Sequence, residues 1–296
     1  MMIHLKNFGS VLREAVCGFI RHKDSRMGAA LAFYTLLSLS PLLLIVLAII
    51  GPIFGTDAAR GAIGRQIEQL VGHEGARAVD AIVSNANHPT RGIISTVVGV
   101  LVLLFGASGV IVELKEALNE IWETPLAPPE PVFGLRSLAI DRLLAFSLIC
   151  AIAFLLLVSL FISAFLTTIG DLVVGERYDQ AVWANLLNIG LSFLLTTSLF
   201  ALIFRRMPAE RTPWRFAILG AFITSLLFLL GKSLIGLYMG RAAVGSAFGA
   251  AGSLVVLLVW VYYSTMIFLF GAEFTHALER TQNDQSGPDA FTNRKE

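Results

Sequence analysis

The feature that most constrains this chain is a stretch of 31 residues, Ala242–Ala272, that carries no charged side chain. As a single α-helix this stretch would be about 46 Å long, whereas the hydrocarbon core of a bilayer is about 30 Å thick. Its first third contains Gly245, Gly249 and Gly252, and glycine disfavours a helix. The pattern therefore predicts a loop or re-entrant segment, followed by a membrane-spanning helix over residues 253–272.

The composition indicates that the rest of the chain is also a membrane protein. Hydrophobic residues make up 56% of the sequence and charged residues 15%, whereas soluble domains average about 25% charged residues. The expected fold class is all-α, a polytopic membrane helical bundle that forms one domain over residues 1–280. Six apolar runs predict six transmembrane helices, at about residues 28–50, 92–112, 143–166, 183–204, 216–238 and 253–272.

The distribution of basic residues predicts the orientation of this bundle. If the chain crosses six times, fifteen Lys and Arg residues fall on the side of the N-terminus and six on the opposite side. Basic residues accumulate on the cytoplasmic side of a membrane, so both termini are expected to be cytoplasmic. The net charge of +1 for the whole chain hides this asymmetry and gives no reason to expect nucleic-acid binding.

The segments outside the spans have patterns of their own. Residues 1–26 place apolar side chains at helical spacing among basic ones, which predicts an amphipathic helix on the membrane surface. The long loop 56–91 favours two short helices on the outer side. The sequence ELKEALNEIWE predicts a helix that ends before Pro125. Residues 281–296 are polar and are expected to form a disordered cytoplasmic tail.

Lys232 is the leading candidate for a substrate-binding residue, because an ionisable residue within a span is usually functional. Two interpretations are open. Its long stem could snorkel to the outer headgroups, or its ammonium group could face a cavity. Ser225, Gly236 and Gly240 share its helical face, and small residues mark packing faces rather than lipid-facing ones. In a cavity, the positive charge would favour a phosphate or carboxylate group.

Polar side chains in two other spans are candidates to line the same cavity. Ser159 and Ser163 are four residues apart in the third span, and Asn188, Ser192 and Thr196 repeat this spacing in the fourth. Both sets are therefore predicted to lie on one face of a helix and to contribute to substrate binding. The alternative is ordinary hydrogen bonding between helices, at roughly 0.6 kcal/mol for each bond.

The first span contains a proline close to the middle of the membrane. Pro41 removes one backbone hydrogen bond and predicts a kink, so it is the candidate hinge. Tyr34 and Ser38 share its face and join the candidates for substrate binding. Broken helices at this depth build binding sites in many transporters, and a kink that serves only helix packing is the alternative.

Glu273 and His276 follow the last span, three residues apart. This spacing occurs in metal sites of helical bundles, but a metal site needs three or four ligands, and the other histidines form no motif. The pair is therefore predicted to anchor the helix at the inner interface, as an interfacial cap or through an ion pair with Arg280 or Arg206. No metal and no cofactor are expected.

The sequence offers little support for an enzyme. An intramembrane hydrolase would use Ser108, within GASG, with His276 as its base, but no span contains a histidine that could activate a serine. The phosphate-binding pattern GxxxxGK[ST] does not occur. The chain is therefore expected not to be an enzyme.

Four segments together resemble the YihY/BrkB family of bacterial inner-membrane proteins. They are ALAFYTLLSLSPLLL, LKEALNEIWE, RTPWRFAILGAFITSLLFLLGK and GAAGSLVVLLVWVYYSTMIFLFGAEFTHALER. The resemblance implies a six-span protein of the bacterial inner membrane, associated with envelope integrity and suspected of transport, with no agreed catalytic residues. The family has also carried a ribonuclease label, which the scattered histidines and acids of this sequence do not support.

These observations lead to one functional hypothesis and one alternative. The hypothesis is a transporter or flippase-like protein for an anionic or lipid substrate, with membrane lipids as partners and no nucleic acid. The alternative is a scaffold that transports nothing and binds an envelope partner through its long outer loop or the ELKEALNEIWE helix. Self-association into a homo-oligomer, the substrate, the direction of transport and its energy source are left open.

Overall fold

The computed structural model describes residues 5–55, 106, 109–124, 179–241 and 252–285, together with residues 61, 64 and 80. Within these ranges every regular element is an α-helix, and no strand occurs. The all-helical fold class is therefore confirmed. In chain order the helices are α1 (Leu5–Arg21), α2 (Asp24–Phe54), α3 (residues 109–121), α4 (Asp179–Arg206), α5 (Trp214–Arg241) and α6 (Gly252–Gln285).

Two helices in the described part of the chain are long and apolar enough to cross a membrane. Their apolar segments are Trp214–Tyr238 in α5 and Leu254–Gln282 in α6, which coincide with the fifth and sixth predicted spans. Only 33% and 28% of these segments are buried inside the protein, whereas the core helix of a soluble protein would be mostly buried. The six-span topology and the orientation of the termini stay predictions, because all of the third span and most of both the second span and the outer loop lie outside the described residues.

α1 confirms the amphipathic helix predicted at the N-terminus. Val11 and Ala15 are buried on one side of this helix. Four large apolar residues recur on another side and are exposed, namely Phe8, Leu12, Val16 and Ile20. One face of α1 thus packs into the protein and an adjacent apolar stripe does not, as in helices that lie on a membrane surface.

α1 and α2 are joined by a turn at His22 and Lys23. The backbone N–H of His22 donates to the Gly18 carbonyl at 2.8 Å, and that of Lys23 donates to the Ile20 carbonyl at 3.3 Å. Lys23 has φ 57, the left-handed conformation in which many helices end. Asp24 then occupies the first turn of α2, where a carboxylate is favoured by the helix dipole.

α3 ends in a Schellman motif directly before Pro125. The N–H of Thr124 donates to the Asn119 carbonyl at 3.1 Å, and the N–H of Glu123 donates to the Glu120 carbonyl at 3.0 Å. Glu123 has φ 49, which is the left-handed residue that this motif requires. The predicted end of the ELKEALNEIWE helix before Pro125 is confirmed.

The turn between α4 and α5, residues 207–213, is held from two directions. Arg205 donates to the Thr212 carbonyl at 2.6 Å, which closes the turn from within. The N–H of Ala209 donates to Oδ1 of Asn119 at 2.9 Å, which fastens the turn to the end of α3. The turn is therefore fixed by hydrogen bonds to both a nearby and a distant part of the sequence.

The described residues group into two compact units. The first unit falls within Met1–Ala15, Leu118–Leu226 and Gly271–Glu296. The second falls within Val16–Ala117 and Leu227–Phe270. The expectation of a single domain stays a prediction.

Aromatic side chains form much of the core of the first unit. Phe204 of α4 is fully buried, and its ring centroid lies 6.4 Å from that of Trp122, at the end of α3. Phe274 of α6 is also buried, with its ring centroid 5.8 Å from that of Phe8 in α1. These pairs join α3 to α4 and α1 to α6.

α5 and α6 cross within the first unit through glycine and threonine. Gly220 of α5 lies against the side chain of Thr275, and Gly271 of α6 lies against that of Thr224. Each threonine hydroxyl donates at 2.7 Å to the carbonyl of the glycine on its own helix, four residues earlier. The hydroxyls are thus satisfied, and each glycine leaves room for the opposite threonine.

A cluster of buried aliphatic side chains forms part of the core of the second unit. Gly28 of α2 lies against Met266 and Tyr262 of α6, with the Met266 sulfur 3.1 Å from the position that a Cβ on Gly28 would take. This close approach brings α2 against α6. The buried cluster between α2, α5 and α6 consists of Ala32, Ile235, Val256, Leu257 and Val261.

α6 begins at Gly252, one residue before the predicted start of the last span, and continues to Gln285. The predicted tail is therefore wrong for residues 281–285, which are helical. Ala277 and Leu278 are buried in the first unit, and Thr281 donates to the Ala277 carbonyl at 2.8 Å. This packing extends the helix past the predicted span 253–272, whereas polarity alone suggests disorder.

Candidate functional site

Lys232 lies on the side of α5 that is turned away from its exposed apolar residues. Leu230, Leu234 and Leu237 are 55%, 62% and 52% exposed. Lys232 is two residues from both Leu230 and Leu234, which places it about 200° around the helix from each of them. Its side chain is half-buried and has an interaction partner. In this part of α5 the leucines therefore face outward, and the lysine faces the protein.

The small residues near Lys232 are packed at one position and open at another. Gly231 is buried against α6, and the Tyr263 hydroxyl lies 3.2 Å from the position of a Cβ on Gly231. At Gly236, no described atom lies within 4 Å of the corresponding position. α5 is thus in close contact with α6 at Gly231, whereas Gly236, on the predicted packing face, has no described atom within this distance.

Tyr34 and Ser38 of α2 lie against the two glycines of GASG. The ring of Tyr34 covers Gly109, and the Ser38 Cβ lies 2.9 Å from the position that a Cβ on Gly106 would take. Ser38 is buried and donates to the Thr35 carbonyl at 3.0 Å. These contacts account for both glycines by close helix packing. A role of Tyr34 and Ser38 in substrate binding stays a prediction.

The polar residues of α4 form hydrogen bonds along their own helix. Thr196 donates to the carbonyl of Ser192, which is itself exposed, at 2.8 Å. Thr197 and Ser198 make equivalent bonds at 2.8 Å to the carbonyls four residues earlier. These three hydroxyls are thus satisfied within α4 and do not need a neighbouring helix as acceptor.

Several predicted site residues fall outside the part of the chain that the structure describes. They include the side chain of Asn188 and the whole of Ser159 and Ser163. The side chain of Pro41 is also among them, although α2 is helical through this position and continues to Phe54. A hinge at Pro41 and a cavity lined by the two polar stripes therefore stay predictions.

Glu273 and His276 both lie well inside α6, in the first unit. Glu273 is only 3% exposed. The imidazole ring of His276 packs on Trp122, with 5.8 Å between the ring centroids. The pair therefore belongs to the packed interior of the first unit, and its role as an anchor at the membrane interface stays a prediction.

Arg280, one of the ion-pair partners considered for Glu273, pairs with two other carboxylates. Its guanidinium nitrogens lie 3.6 Å from a carboxylate oxygen of Glu14 and 3.6 Å from one of Glu123. All three side chains are exposed, and such pairs usually contribute less than about 1 kcal/mol. The arginine still connects α1 and the end of α3 to α6.

Sequence reasoning missed a buried polar cluster near the end of α6. The carboxylate of Glu279 faces the indole N–H of Trp122 and the hydroxyl of Thr212. Trp122 and Thr212 are only 6% and 1% exposed. Oε2 of Glu279, Nε1 of Trp122 and Oγ1 of Thr212 are buried, and none makes a hydrogen bond of good geometry within the described residues. We call these three residues the Glu279 cluster.

Burial, hydrogen-bond donors and nearby charges have opposing effects on the charged form of Glu279. Burial disfavours the carboxylate, as does Glu210, whereas Trp122, Thr212 and Arg215 favour it. The cluster joins three parts of the chain that are far apart in sequence, so no local motif indicates it.

Long apolar helices that expose leucine and pack through small residues, as α5 and α6 do, are typical of a helical membrane protein. Residues 15–295 match the sequence profile of the family described as Virulence factor BrkB. The match covers most of the chain, and the chain belongs to this family. The resemblance derived from its sequence segments is thereby confirmed.

Relatives with a curated description are mostly named as membrane proteins. The chain is 29% identical over 281 residues to a UPF0761 membrane protein of Alkalilimnicola ehrlichii, which covers 92% of this chain and 60% of the relative. It is 29% identical over 294 residues to a UPF0761 membrane protein of Halorhodospira halophila, and this match covers 98% of this chain and 60% of the relative. This chain thus spans about three fifths of the length of these two relatives.

A relative in Bacillus subtilis carries a different name, the ribonuclease-like protein YfkH. The identity is 27% over 278 residues, which cover 92% of this chain and 96% of the relative. This relative therefore matches the chain over nearly its whole length. No solved structure matches the chain.

Proposed function

We propose that this chain is a multi-pass protein of the bacterial inner membrane that moves an anionic or lipid substrate, with Lys232 contacting the anionic headgroup. The observation that carries the proposal is the half-buried position of Lys232, on the side of α5 opposite its exposed leucines. Charged residues within membrane helices are costly and usually mark a substrate or ion pathway. An ammonium group in such a place favours a phosphate or carboxylate as its ligand.

The proposed topology has six spans with both termini in the cytoplasm. It is supported by the coincidence of α5 and α6 with the fifth and sixth predicted spans and by the excess of Lys and Arg on the side of the N-terminus. In this topology α5 runs outward from Trp214, so Lys232 lies in the outer half of the membrane. The substrate would therefore meet Lys232 from the outer side.

We further propose that the chain acts without catalysis, with membrane lipids as its partners. The support is the sequence, which offers no convincing nucleophile and base and no phosphate-binding loop. The ribonuclease-like name belongs to the Bacillus subtilis relative, and RNA hydrolysis would need clustered catalytic groups in a water-filled basic groove.

Transport can be tested with purified protein in vesicles that contain a fluorescent phosphatidylglycerol. The rate at which the lipid reaches the other leaflet is followed by a membrane-impermeant quencher. Lys232→Met is expected to lower this rate by about tenfold or more, because a hydrogen bond to a charged group contributes roughly 1.5–3 kcal/mol. Lys232→Arg keeps the charge and is expected to retain much of the activity.

A matched control is available at the next position on α5. Ser233 is exposed, and its hydroxyl donates weakly to the Leu229 carbonyl at 3.4 Å. Ser233→Ala is expected to leave the rate unchanged. A Lys232→Met protein that moves lipid at the wild-type rate would exclude the role of Lys232. A wild-type protein that moves no anionic lipid would instead favour the scaffold alternative.

A further inference from the structure

The α4–α5 turn and its flanks expose three arginines close together in sequence. Arg206, Arg211 and Arg215 are all exposed. Trp214, between two of them, is also exposed, at 47%. Glu210 is the single acidic residue between Arg206 and Arg215, so positive charge is in excess. We call Arg206, Arg211, Trp214 and Arg215 the arginine surface.

The backbone that carries this surface is held in place by groups that are not part of it. Arg205 lies over the Trp214 ring, with its guanidinium carbon 4.7 Å from the ring centroid, and donates to the Thr212 carbonyl. Asn119 accepts the N–H of Ala209. The exposed arginines therefore extend from a fixed turn, which reduces the entropy lost when they bind a ligand.

The arginine surface lies where a membrane-length helix begins. The apolar segment of α5 starts at Trp214, and α4 ends at Arg206. Tryptophan is enriched at the boundary between membrane and water, because its ring is apolar and its N–H is polar. Basic residues at this boundary are attracted by anionic lipid headgroups. Both the aromatic residue and the charges therefore fit the headgroup region of a bilayer.

We propose that the arginine surface binds the phosphate group of an anionic phospholipid of the surrounding bilayer. The planar guanidinium group can donate two parallel hydrogen bonds to phosphate oxygens, which an ammonium group cannot match. Trp214 would lie beside the glycerol and upper acyl region. This binding does not depend on transport through Lys232, because Lys232 lies 18 residues after Trp214 along α5.

The test uses the full chain in nanodiscs of phosphatidylcholine that contain a minor fraction of phosphatidylglycerol, with native mass spectrometry to count the retained phosphatidylglycerol. The variant Arg206→Gln/Arg211→Gln/Arg215→Gln leaves Arg205 intact, so the α4–α5 turn is expected to stay folded. Its unfolding temperature is measured alongside, because Arg215 also favours the Glu279 carboxylate. The variant is expected to reduce retention of phosphatidylglycerol by roughly tenfold or more. Wild-type retention in this variant would overturn the proposal.

Two further variants separate a phosphate site from a diffuse effect of charge. Replacing the same three arginines by lysine preserves the charge and is expected to recover only part of the retention. Glutamine at Arg60, Arg65 and Arg77, in the long loop predicted to be outside, removes equal charge and is expected to leave retention unchanged. If this control lost lipid as strongly as the first variant, the proposed site would be refuted.

The source of the phosphate is tested by competition. Inorganic phosphate alone, added in excess at constant ionic strength, is expected not to displace phosphatidylglycerol, because it lacks the acyl chains beside Trp214. Displacement by inorganic phosphate would identify a site for free phosphate and overturn the lipid proposal. Glu210→Gln removes the nearby negative charge and is expected to increase retention, and a decrease would count against the proposal.

Discussion

Thr275 of α6 lies directly against Gly220 of α5, and Thr224 of α5 lies against Gly271 of α6 in the same way. Thr224 comes four residues after Gly220 in α5, whereas its partner Gly271 comes four residues before Thr275 in α6. The two helices are therefore antiparallel at this crossing. Each helix supplies one glycine and one threonine, within the sequences GAFIT and GAEFT. The small residues of both helices are thus used for one close, reciprocal contact.

Alanine at either glycine should destabilise this crossing. At Gly220 the added Cβ would lie 2.7 Å from the Thr275 Cβ, and at Gly271 it would lie 2.7 Å from the Thr224 Cβ. The helices would have to move apart, at a cost of about 1–3 kcal/mol. Gly220→Ala and Gly271→Ala are each expected to lower the unfolding temperature of the detergent-solubilised protein, measured by differential scanning fluorimetry.

Gly236→Ala is the matched control for both variants. Gly236 lies in α5 as well, but no described atom is within 4 Å of its added Cβ. Alanine is about 1 kcal/mol more favourable than glycine in a helix, so this variant is expected to keep or raise the unfolding temperature. Equal unfolding temperatures for Gly220→Ala and Gly236→Ala would show that the crossing is not closely packed.

Asn119 fastens the α4–α5 turn to the end of α3, and its side chain can be tested separately from its backbone. Asn119→Ala removes the acceptor of the Ala209 N–H and is expected to cost about 1 kcal/mol. Asn119→Asp keeps an oxygen at this position and is expected to cost less. Hydrogen exchange at the Ala209 amide should therefore be faster in the alanine variant than in the aspartate variant, and equal rates would contradict the bond.

The ends of the helices show which parts of the fold are readable from sequence. The start of α6 follows from the change from glycine-rich to apolar residues, and the predicted and observed starts differ by one residue. The end of α3 follows from Pro125 in the same way, because proline cannot continue a helix. The end of α6 cannot be read from the sequence in this way. Its last turns are held by the packing of Ala277 and Leu278, which no local sequence pattern indicates.

Removing the charge of Glu279 is expected not to destabilise the protein, unlike the substitutions at Gly220, Gly271 and Asn119. Its Oε2 is buried without a well-formed hydrogen bond in the described residues, and burial is the largest effect that opposes its charge. Glu279→Gln keeps the shape and removes the charge, so it is expected to leave the free energy of unfolding unchanged or raise it by up to about 1 kcal/mol. Chemical denaturation in mixed micelles at neutral pH measures this difference.

Removing a donor from the same cluster should have the reverse effect. Thr212→Val deletes a hydroxyl that favours the charged carboxylate, and it is expected to cost about 1–3 kcal/mol because the carboxylate stays buried with one donor fewer. In the Glu279→Gln background the same change should cost less. A Thr212→Val cost that is the same in both backgrounds would show that the two side chains do not interact.

The candidate site was only partly accessible to sequence reasoning. The presence of Lys232 within a span was readable, but its direction was not, because snorkelling and a cavity are both compatible with its position along α5. The exposures of Leu230 and Leu234 place Lys232 on the opposite side of α5, and its contact with a substrate stays a prediction. The Glu279 cluster was not readable at all, because it depends on contacts between residues separated by tens to more than a hundred positions.

Lys23 provides a test of backbone conformation at the turn between α1 and α2. It is exposed and has φ 57, which is unfavourable for a residue with a side chain by roughly 1 kcal/mol and costs glycine nothing. Lys23→Gly is therefore expected to raise the free energy of unfolding by about 0.5–1 kcal/mol. Arg13→Gly, at an exposed position inside α1, should lower it by about 1 kcal/mol. The opposite signs separate the left-handed conformation at Lys23 from a general effect of glycine, and a loss of stability at both positions would show that Lys23 is not left-handed in solution.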